Sequence, residues 1–327
     1  VTIDRVELER TAAALGFRTD SLEKVFRLLS LLDGLRSHPY LRPRIALKGG
    51  TALNLFLFDV PRLSVDIDLN YVGAVDRATM LAEKPMVEQA MQAVFGREGL
   101  SVRRIPTEHA GGKWILGYAA ASGGAGSLEV DLNYMLRAPL WPVVTADSRR
   151  VGWRSARDVP VLELHELAAG KLAALCARTA SRDVFDAREL LRRTDLDLAR
   201  LRLAFVVYGG LNREDWRTIS VDSIRIEAAE LRRELVPMLA ATVRPAARDV
   251  DAWAEGLVAE TRARMAVVLP LVDGEREFIE RLNRTGEIDA ALLTDDPALR
   301  ARIEHHPGLR WKAQNVREHV AGGRRRR

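Results

Sequence analysis

Cysteine is almost absent: Cys176 is the one thiol in 327 residues, which excludes an internal disulfide and any zinc site built on cysteines. Its neighbours Leu172, Ala173 and Leu175 make it read as a small buried hydrophobe. Long apolar runs are missing too, and none approaches the ~20 uncharged residues that a helix needs to cross a bilayer. The stretch Val1 to Phe17 carries charges throughout and lacks the basic-then-apolar order of a secretory signal. A cytoplasmic location without a membrane partner is therefore expected. Neither charge sign dominates: 50 Lys and Arg stand against 45 Asp and Glu, a net charge of +5. That mild excess suits a nucleotide or nucleic-acid partner better than an acidic one. The terminal run Arg324-Arg325-Arg326-Arg327 reads as a solvated tail or a nucleic-acid arm.

What is present is the material of a globular chain, 47% hydrophobic and 29% charged, long enough for one large or two ordinary domains. Asp20-Ser21 can cap a helix whose apolar positions Leu22, Val25, Phe26, Leu29 and Leu32 follow the 3.6-residue period, with Gly34 and Pro39 consistent with its end. A short strand-like run, Arg44 to Leu47, leads into Gly49-Gly50-Thr51 and an apolar helix from Ala52 to Phe58. From Leu63 to Val72 the pattern alternates. Leu63, Val65, Ile67, Leu69 and Tyr71 take one face, and Ser64, Asp66, Asp68 and Asn70 the other. A helical pattern spans Arg77 to Phe95, and a hairpin is expected with strands Trp114 to Ala120 and Ser127 to Met135. Asp68-Leu-Asn-Tyr71 and Asp131-Leu-Asn-Tyr134 share four letters, which reads as two similar strands of one sheet. From about Val161 onward the pattern is almost wholly helical.

The chemistry-bearing residues gather in the alternating strand. Asp66 and Asp68 are two apart, so both carboxylates face one side, about 6 to 7 Å apart along the backbone. Like charges there are unfavourable unless something positive joins them. Hard oxygen ligands on a rigid strand suit Mg²⁺, with Mn²⁺ as an alternative. Asp131, on the same kind of strand face, is a candidate third carboxylate, and three carboxylates can hold two metals. Taken alone, Asp-x-Asp is more often a solvated strand face. Gly49 and Gly50 supply a turn that lets backbone approach phosphates, and the helix start favours anions. Thr51 can add a hydroxyl donor or cap that helix. A simple strand-to-helix turn is the plainer alternative, but a phosphate cradle next to a carboxylate strand is more specific than either part. Ser64 shares the carboxylate face and is either a γ-phosphate contact or the start of the strand. Lys48 is either phosphate-facing or exposed.

In the helical half, Leu167, Lys171 and Leu175 are spaced by four, so the lysine lies on an apolar stripe. Such a lysine snorkels, pairs with an acid or meets an anion, here a triphosphate. Asp183 and Asp186 share a face with Leu190. Asp183 also fits a first-turn acid after a Ser181 cap, which leaves Asp186 as the choice for a catalytic or lysine-orienting carboxylate. His165 and Glu166 read as a helix start, and no matching histidine supports a zinc site.

The segments Leu47-Lys-Gly-Gly-Thr-Ala-Leu53 and Leu63-Ser-Val-Asp-Ile-Asp-Leu69 resemble the signature of the AbiEii/AbiGii-type nucleotidyltransferase toxins, part of the polymerase-beta-like nucleotidyltransferase superfamily. The resemblance continues at Val130-Asp131-Leu132, at Glu166 to Leu175 with Lys171, and at Ser181 to Asp186. It covers about Ile45 to Leu190. Members are often described with a Lys-x-x-x-Lys pattern, and position 175 here is Leu, so a second basic contact comes from elsewhere or is absent.

The resemblance implies an α/β nucleotidyltransferase fold: a small mixed β-sheet flanked by helices, followed by an all-α C-terminal lobe. Residues 1–155 are expected to form the core with its N-terminal helices. Residues 156–327 form the lobe that contributes Lys171 and Asp186. The implied activity is metal-dependent transfer of a nucleotide from an NTP to an RNA, the tRNA 3′ end, which would block aminoacylation and translation. The protein would then be the toxin of a toxin–antitoxin pair, with a cognate antitoxin as partner. Site residues carried over are Asp66, Asp68, Lys171 and Asp186 for catalysis. Gly49, Gly50, Thr51, Ser64 and Lys171 would serve the nucleotide, and Asp66, Asp68 and Asp131 the metal. Rival readings are a nucleotidyltransferase acting on a small molecule such as an aminoglycoside, and a non-catalytic inhibitory binding module.

Overall fold

The computed structural model describes residues 3–105, 110–178, 180–212 and 215–324. Arg325, Arg326 and Arg327 of the terminal run lie outside them. Seven strands form one sheet: β1 Ile45–Lys48, β2 Asp66–Tyr71, β3 Ser101–Arg104, β4 Gly111–Ala119, β5 Ala125–Asn133, β6 Val144–Ala146 and β7 Val159–Val161. Their order is β3-β4-β5-β2-β1-β7-β6. The pairs β2/β5 and β1/β7 are parallel and the other neighbours antiparallel, so the sheet is mixed, as expected.

The helices before and within the sheet are α1 Arg5–Leu15, α2 Thr19–Ser37, α3 Gly49–Thr51 and α4 Arg77–Arg97. After it come α5 Leu164–Ala177, α6 Ser181–Leu191, α7 Leu198–Gly210, α8 Ala228–Glu230, α9 Val250–Arg264, α10 Asp273–Thr285, α11 Pro297–Glu304 and α12 Pro307–Arg324. Helix α2 starts one residue before Asp20 and runs through Gly34 to Ser37. Asp20 is a first-turn acid rather than the cap, and Arg18 holds the cap position without a side-chain bond to the helix backbone. A single glycine costs a helix only about 1 kcal/mol, and the buried positions of α2 on either side of Gly34, such as Leu32 and Leu35, outweigh that.

Two compact units divide the chain. The first comprises Val1–Arg137, Pro142–Glu163 and Ala229–Val250; the second comprises Ala138–Trp141, Leu164–Ala228 and Asp251–Arg327. The first unit therefore contains the whole sheet and takes back a short stretch from the helical half of the sequence.

One face of the sheet is its apolar floor. Ile45 and Leu47 of β1, Ile67, Leu69 and Tyr71 of β2, and Leu128, Val130 and Leu132 of β5 are all buried. Helices α2 and α4 pack in this unit, with Phe95 edge-on to Trp114 at 5.6 Å and Tyr71 beside Tyr134 at 5.3 Å. Because strand side chains alternate, filling this face with hydrophobes sends every intervening polar residue to the opposite face.

In the second unit, α5, α6 and α7 form a helical core around Leu172, Val184, Phe185, Leu190, Leu201 and Phe205. Cys176 is half-buried there, and burial pushes its thiol up to about 12. Among the described residues no helix is long and apolar enough to cross a membrane.

Candidate active site

The four-letter echo in the sequence is resolved by the sheet. Strands β2 and β5 lie side by side and parallel, with Asp68 opposite Asp131, Leu69 opposite Leu132 and Asn70 opposite Asn133. Asp66 stands opposite Glu129 in the same ladder. Residues that pair across a ladder share a face about 5 Å apart, so Asp66, Asp68, Asp131 and Glu129 make a square of four carboxylates. All four are partly exposed.

The adjoining strands extend the row. Lys48 of β1 is in register with Asp68, and Lys113 of β4 is in register with Asp131. The order across four strands is Lys48, Asp68, Asp131, Lys113. Lys113 bonds Glu129 through its ammonium. That hydrogen bond raises it above the ordinary lysine value; burial works the other way, and the charges of Glu129, Asp66 and Asp131 add to the rise. Neither Lys113 nor Glu129 stood out in the sequence, where a Lys and a Glu sixteen residues apart on a hairpin look like surface. Alternation along β4 and β5 was the available signal, and it gave the face without the register.

The glycine turn lies against this square. Gly49 has φ +72°, in the left-handed region, and a Cβ built on it would stand 2.1 Å from Asp68 Oδ2. Only glycine admits that carboxylate so close to the backbone. A Cβ on Gly50 would meet Ser64 Oγ at 2.9 Å and Arg62 Nη2 at 3.0 Å. The turn, Asp68, Ser64 and Arg62 thus converge. Thr51 is wholly buried and its hydroxyl donates to the Asp66 carbonyl, so its one proton ties the turn to the carboxylate strand. The expected apolar helix after Thr51 is not a regular α-helix: Ala52–Leu57 is a π-helical turn, a form concentrated at functional sites.

Arg62 carries no local signature in the sequence. It is buried, donates from Nη1 to the Leu63 carbonyl at 2.9 Å, and brings a cation to Gly50 and Ser64. The segment around it is braced by the returning stretch. Leu63 N–H donates to the Met238 carbonyl at 2.8 Å, and Ala240 N–H donates to the Pro61 carbonyl at 2.9 Å. Arg62 and Leu239 form an antiparallel bridge. No local pattern announces a pairing between residues so far apart in the chain.

Lys171 belongs to a cluster of its own in the second unit. Its Nζ lies 2.9 Å from Asp183 Oδ1 and 2.8 Å from Asp186 Oδ2, and all three side chains are under a tenth exposed. It is a buried ion-paired lysine, not a snorkelling one. Arg178 Nε donates to Asp183 at 2.7 Å. Burial pushes the Asp183 carboxyl up, and Lys171 and Arg178 together outweigh it, holding the group below the ordinary aspartate range. Ala180, not Ser181, is the cap of α6, so both acids of the first two turns turn toward the lysine. His165 is buried and accepts from the Asp197 N–H at 2.9 Å. Glu166 is buried and accepts from the Leu140 N–H at 2.8 Å. Both have structural partners.

Among the described residues no group of three or more His, Cys, Asp or Glu is drawn in tightly enough to cage a metal ion. The square fits a different manner of binding. Mg²⁺ takes one or two carboxylates and fills its shell with water and phosphate oxygens, and Asp68 beside Asp131 could act as such a pair.

A sequence profile described as "Nucleotidyl transferase AbiEii toxin, Type IV TA system" matches residues 30–261. No curated protein sequence matches. Among solved structures, MenT4, a nucleotidyltransferase toxin from Mycobacterium tuberculosis H37Rv, is similar over 94% of this chain and 99% of that chain. The TM-score is 0.64 and the identity 19%, a likeness of fold. With the profile spanning most of its length, the chain belongs to the AbiEii family of nucleotidyltransferase toxins of type IV toxin–antitoxin systems, which implies an antitoxin partner.

Proposed function

Starting from that membership, we propose that the protein transfers a nucleotide from an NTP to the 3′ end of tRNA in a metal-dependent reaction. Aminoacylation, and with it translation, is then blocked. The observation that carries the reading is the meeting of Gly49 and Gly50 with Asp68, Ser64 and Arg62, beside an in-register Asp131. The acceptor follows from the sequence resemblance, and the net charge of +5 is in keeping with it.

The chemistry is a displacement at the α-phosphorus. The acceptor 3′ hydroxyl loses its proton to solvent as its oxygen bonds to that phosphorus, the bond from that phosphorus to the oxygen bridging it to the β-phosphate breaks, and pyrophosphate leaves with the electron pair. Asp68 and Asp131, with Asp66 two residues along β2, would hold Mg²⁺ or Mn²⁺. When bound there the ion supplies positive charge to polyphosphate oxygens and to the attacking hydroxyl. The turn offers backbone N–H groups to phosphate. Arg62 supplies the second basic contact that Leu175 does not, as a fixed cation beside the turn. The resemblance also assigns Lys171 and Asp186 a part in catalysis, and within the second unit they stand as a charge-paired cluster, the acid holding the ammonium.

The test is incubation of the protein and its Asp68→Asn variant with each α-labelled NTP, Mg²⁺ and total tRNA. Label in tRNA with the wild type alone is the expected result. Label on a small-molecule acceptor would move the substrate class, and no transfer with any NTP or acceptor would refute the catalytic reading.

A further inference from the structure

We propose that Lys113 is a positioning residue that competes with a divalent ion for the carboxylate square and so sets how tightly the square takes that ion. The inference rests on the metal-dependent function proposed for this site and concerns the regulation of the same site.

Three observations lead there. Lys113 is in register with Asp131, the acid next to Asp68. Its ammonium reaches diagonally to Glu129, which is itself in register with Asp66. It therefore stands on the same face as all four carboxylates. Lys113 is 49% exposed and Glu129 39% exposed, so the pair contributes little to holding the fold. A surface cross-strand pair elsewhere would have no further consequence. Here the pair adjoins a square of four carboxylates, and Lys113 is a cation already built into its edge. An arriving divalent ion must share the carboxylates with that ammonium. Glu129 holds the ammonium at its own corner of the square, while Asp68 lies against the glycine turn.

The sign of the effect follows from charge alone. Removing a unit positive charge roughly one strand spacing from a divalent ion, in a water-like dielectric, should strengthen ion binding roughly tenfold. Arginine at the same position keeps the charge and should leave binding near the wild-type value. A purely structural lysine would change melting and not affinity.

The experiment measures Mn²⁺ binding to the full-length, metal-free protein by electron paramagnetic resonance of the free ion, without NTP or acceptor. Wild type, Lys113→Met, Lys113→Arg and Lys113→Met/Asp68→Asn are compared. Roughly tenfold tighter binding by Lys113→Met, near-normal binding by Lys113→Arg, and loss of the gain in the double variant support the proposal. Unchanged or weaker binding by Lys113→Met, with a wild type that binds, overturns it and leaves the metal reading standing. No Mn²⁺ binding by either protein overturns both.

Discussion

Replacing Lys171 by Met removes the ammonium that Asp183 and Asp186 share at 2.9 and 2.8 Å. Methionine is close in volume and flexible, so little packing is lost. The cost is electrostatic. Asp183 keeps Arg178 at 2.7 Å, and Asp186, with none of its side chain exposed, loses its ion pair with Lys171. Breaking a buried pair by removing one partner costs about 3–5 kcal/mol. For domains of this general size each kcal/mol moves Tm by about 2–4 °C, so Tm should fall by on the order of 10 °C. A snorkelling lysine would have predicted no fall at all. Activity should fall too, by about 2–4 kcal/mol of transition-state stabilisation, or roughly thirtyfold to nearly a thousandfold. A second variant separates the two effects. Lys171→Met/Asp183→Asn/Asp186→Asn leaves no charge buried in the cluster, Arg178 being 65% exposed, so it should recover much of the lost stability and remain inactive. The assay pairs calorimetric melting with labelled-nucleotide transfer. A Lys171→Met protein melting within a degree of wild type, or a triple variant no more stable than the single, would refute the reasoning.

Asp68→Asn should abolish transfer while leaving Tm nearly unchanged, because the side chain stands on the polar face; transfer at the wild-type rate would remove Asp68 from the site. Gly49→Ala should lose activity and at least about 1 kcal/mol of stability, since a Cβ at positive φ strains the backbone and this one would collide with Asp68; denaturant melts and transfer assays read both. Ser64→Glu puts a negative charge beside Gly50 and the carboxylate square and should silence transfer, and a rate equal to wild type would make Ser64 a bystander. Asp183 is held below the ordinary value, so its contribution to stability is complete above about pH 4 and is lost as pH falls through that value towards the lower folded one. Asp183→Asn should therefore flatten the acid limb of a stability–pH curve, and an unchanged limb would contradict the ion cluster.

Much of this was legible along the chain. The period-2 alternation from Leu63 to Val72 put Asp66 and Asp68 on one face before any neighbour was known, because pleating ties side-chain direction to sequence parity. The glycines announced a close approach, and the approach turned out to be that of the Asp68 carboxylate itself. The spacing of Leu167, Lys171 and Leu175 placed the lysine inward. Its partners were in doubt between two acids, and the fold uses both.

Register and long-range pairing were not legible. Parity says which face a residue takes but not which strand lies beside it, and only the assembled sheet sets Asp131 next to Asp68 and Lys113 next to Asp131. The bracing of Arg62 by Leu239 joins segments far apart in the chain; such a contact depends on chain closure through the whole unit, which no local pattern encodes. The residues and their faces are thus properties of the sequence. Their company is a property of the fold, because a carboxylate's field is set by whatever charge the tertiary structure brings within a few ångströms of it.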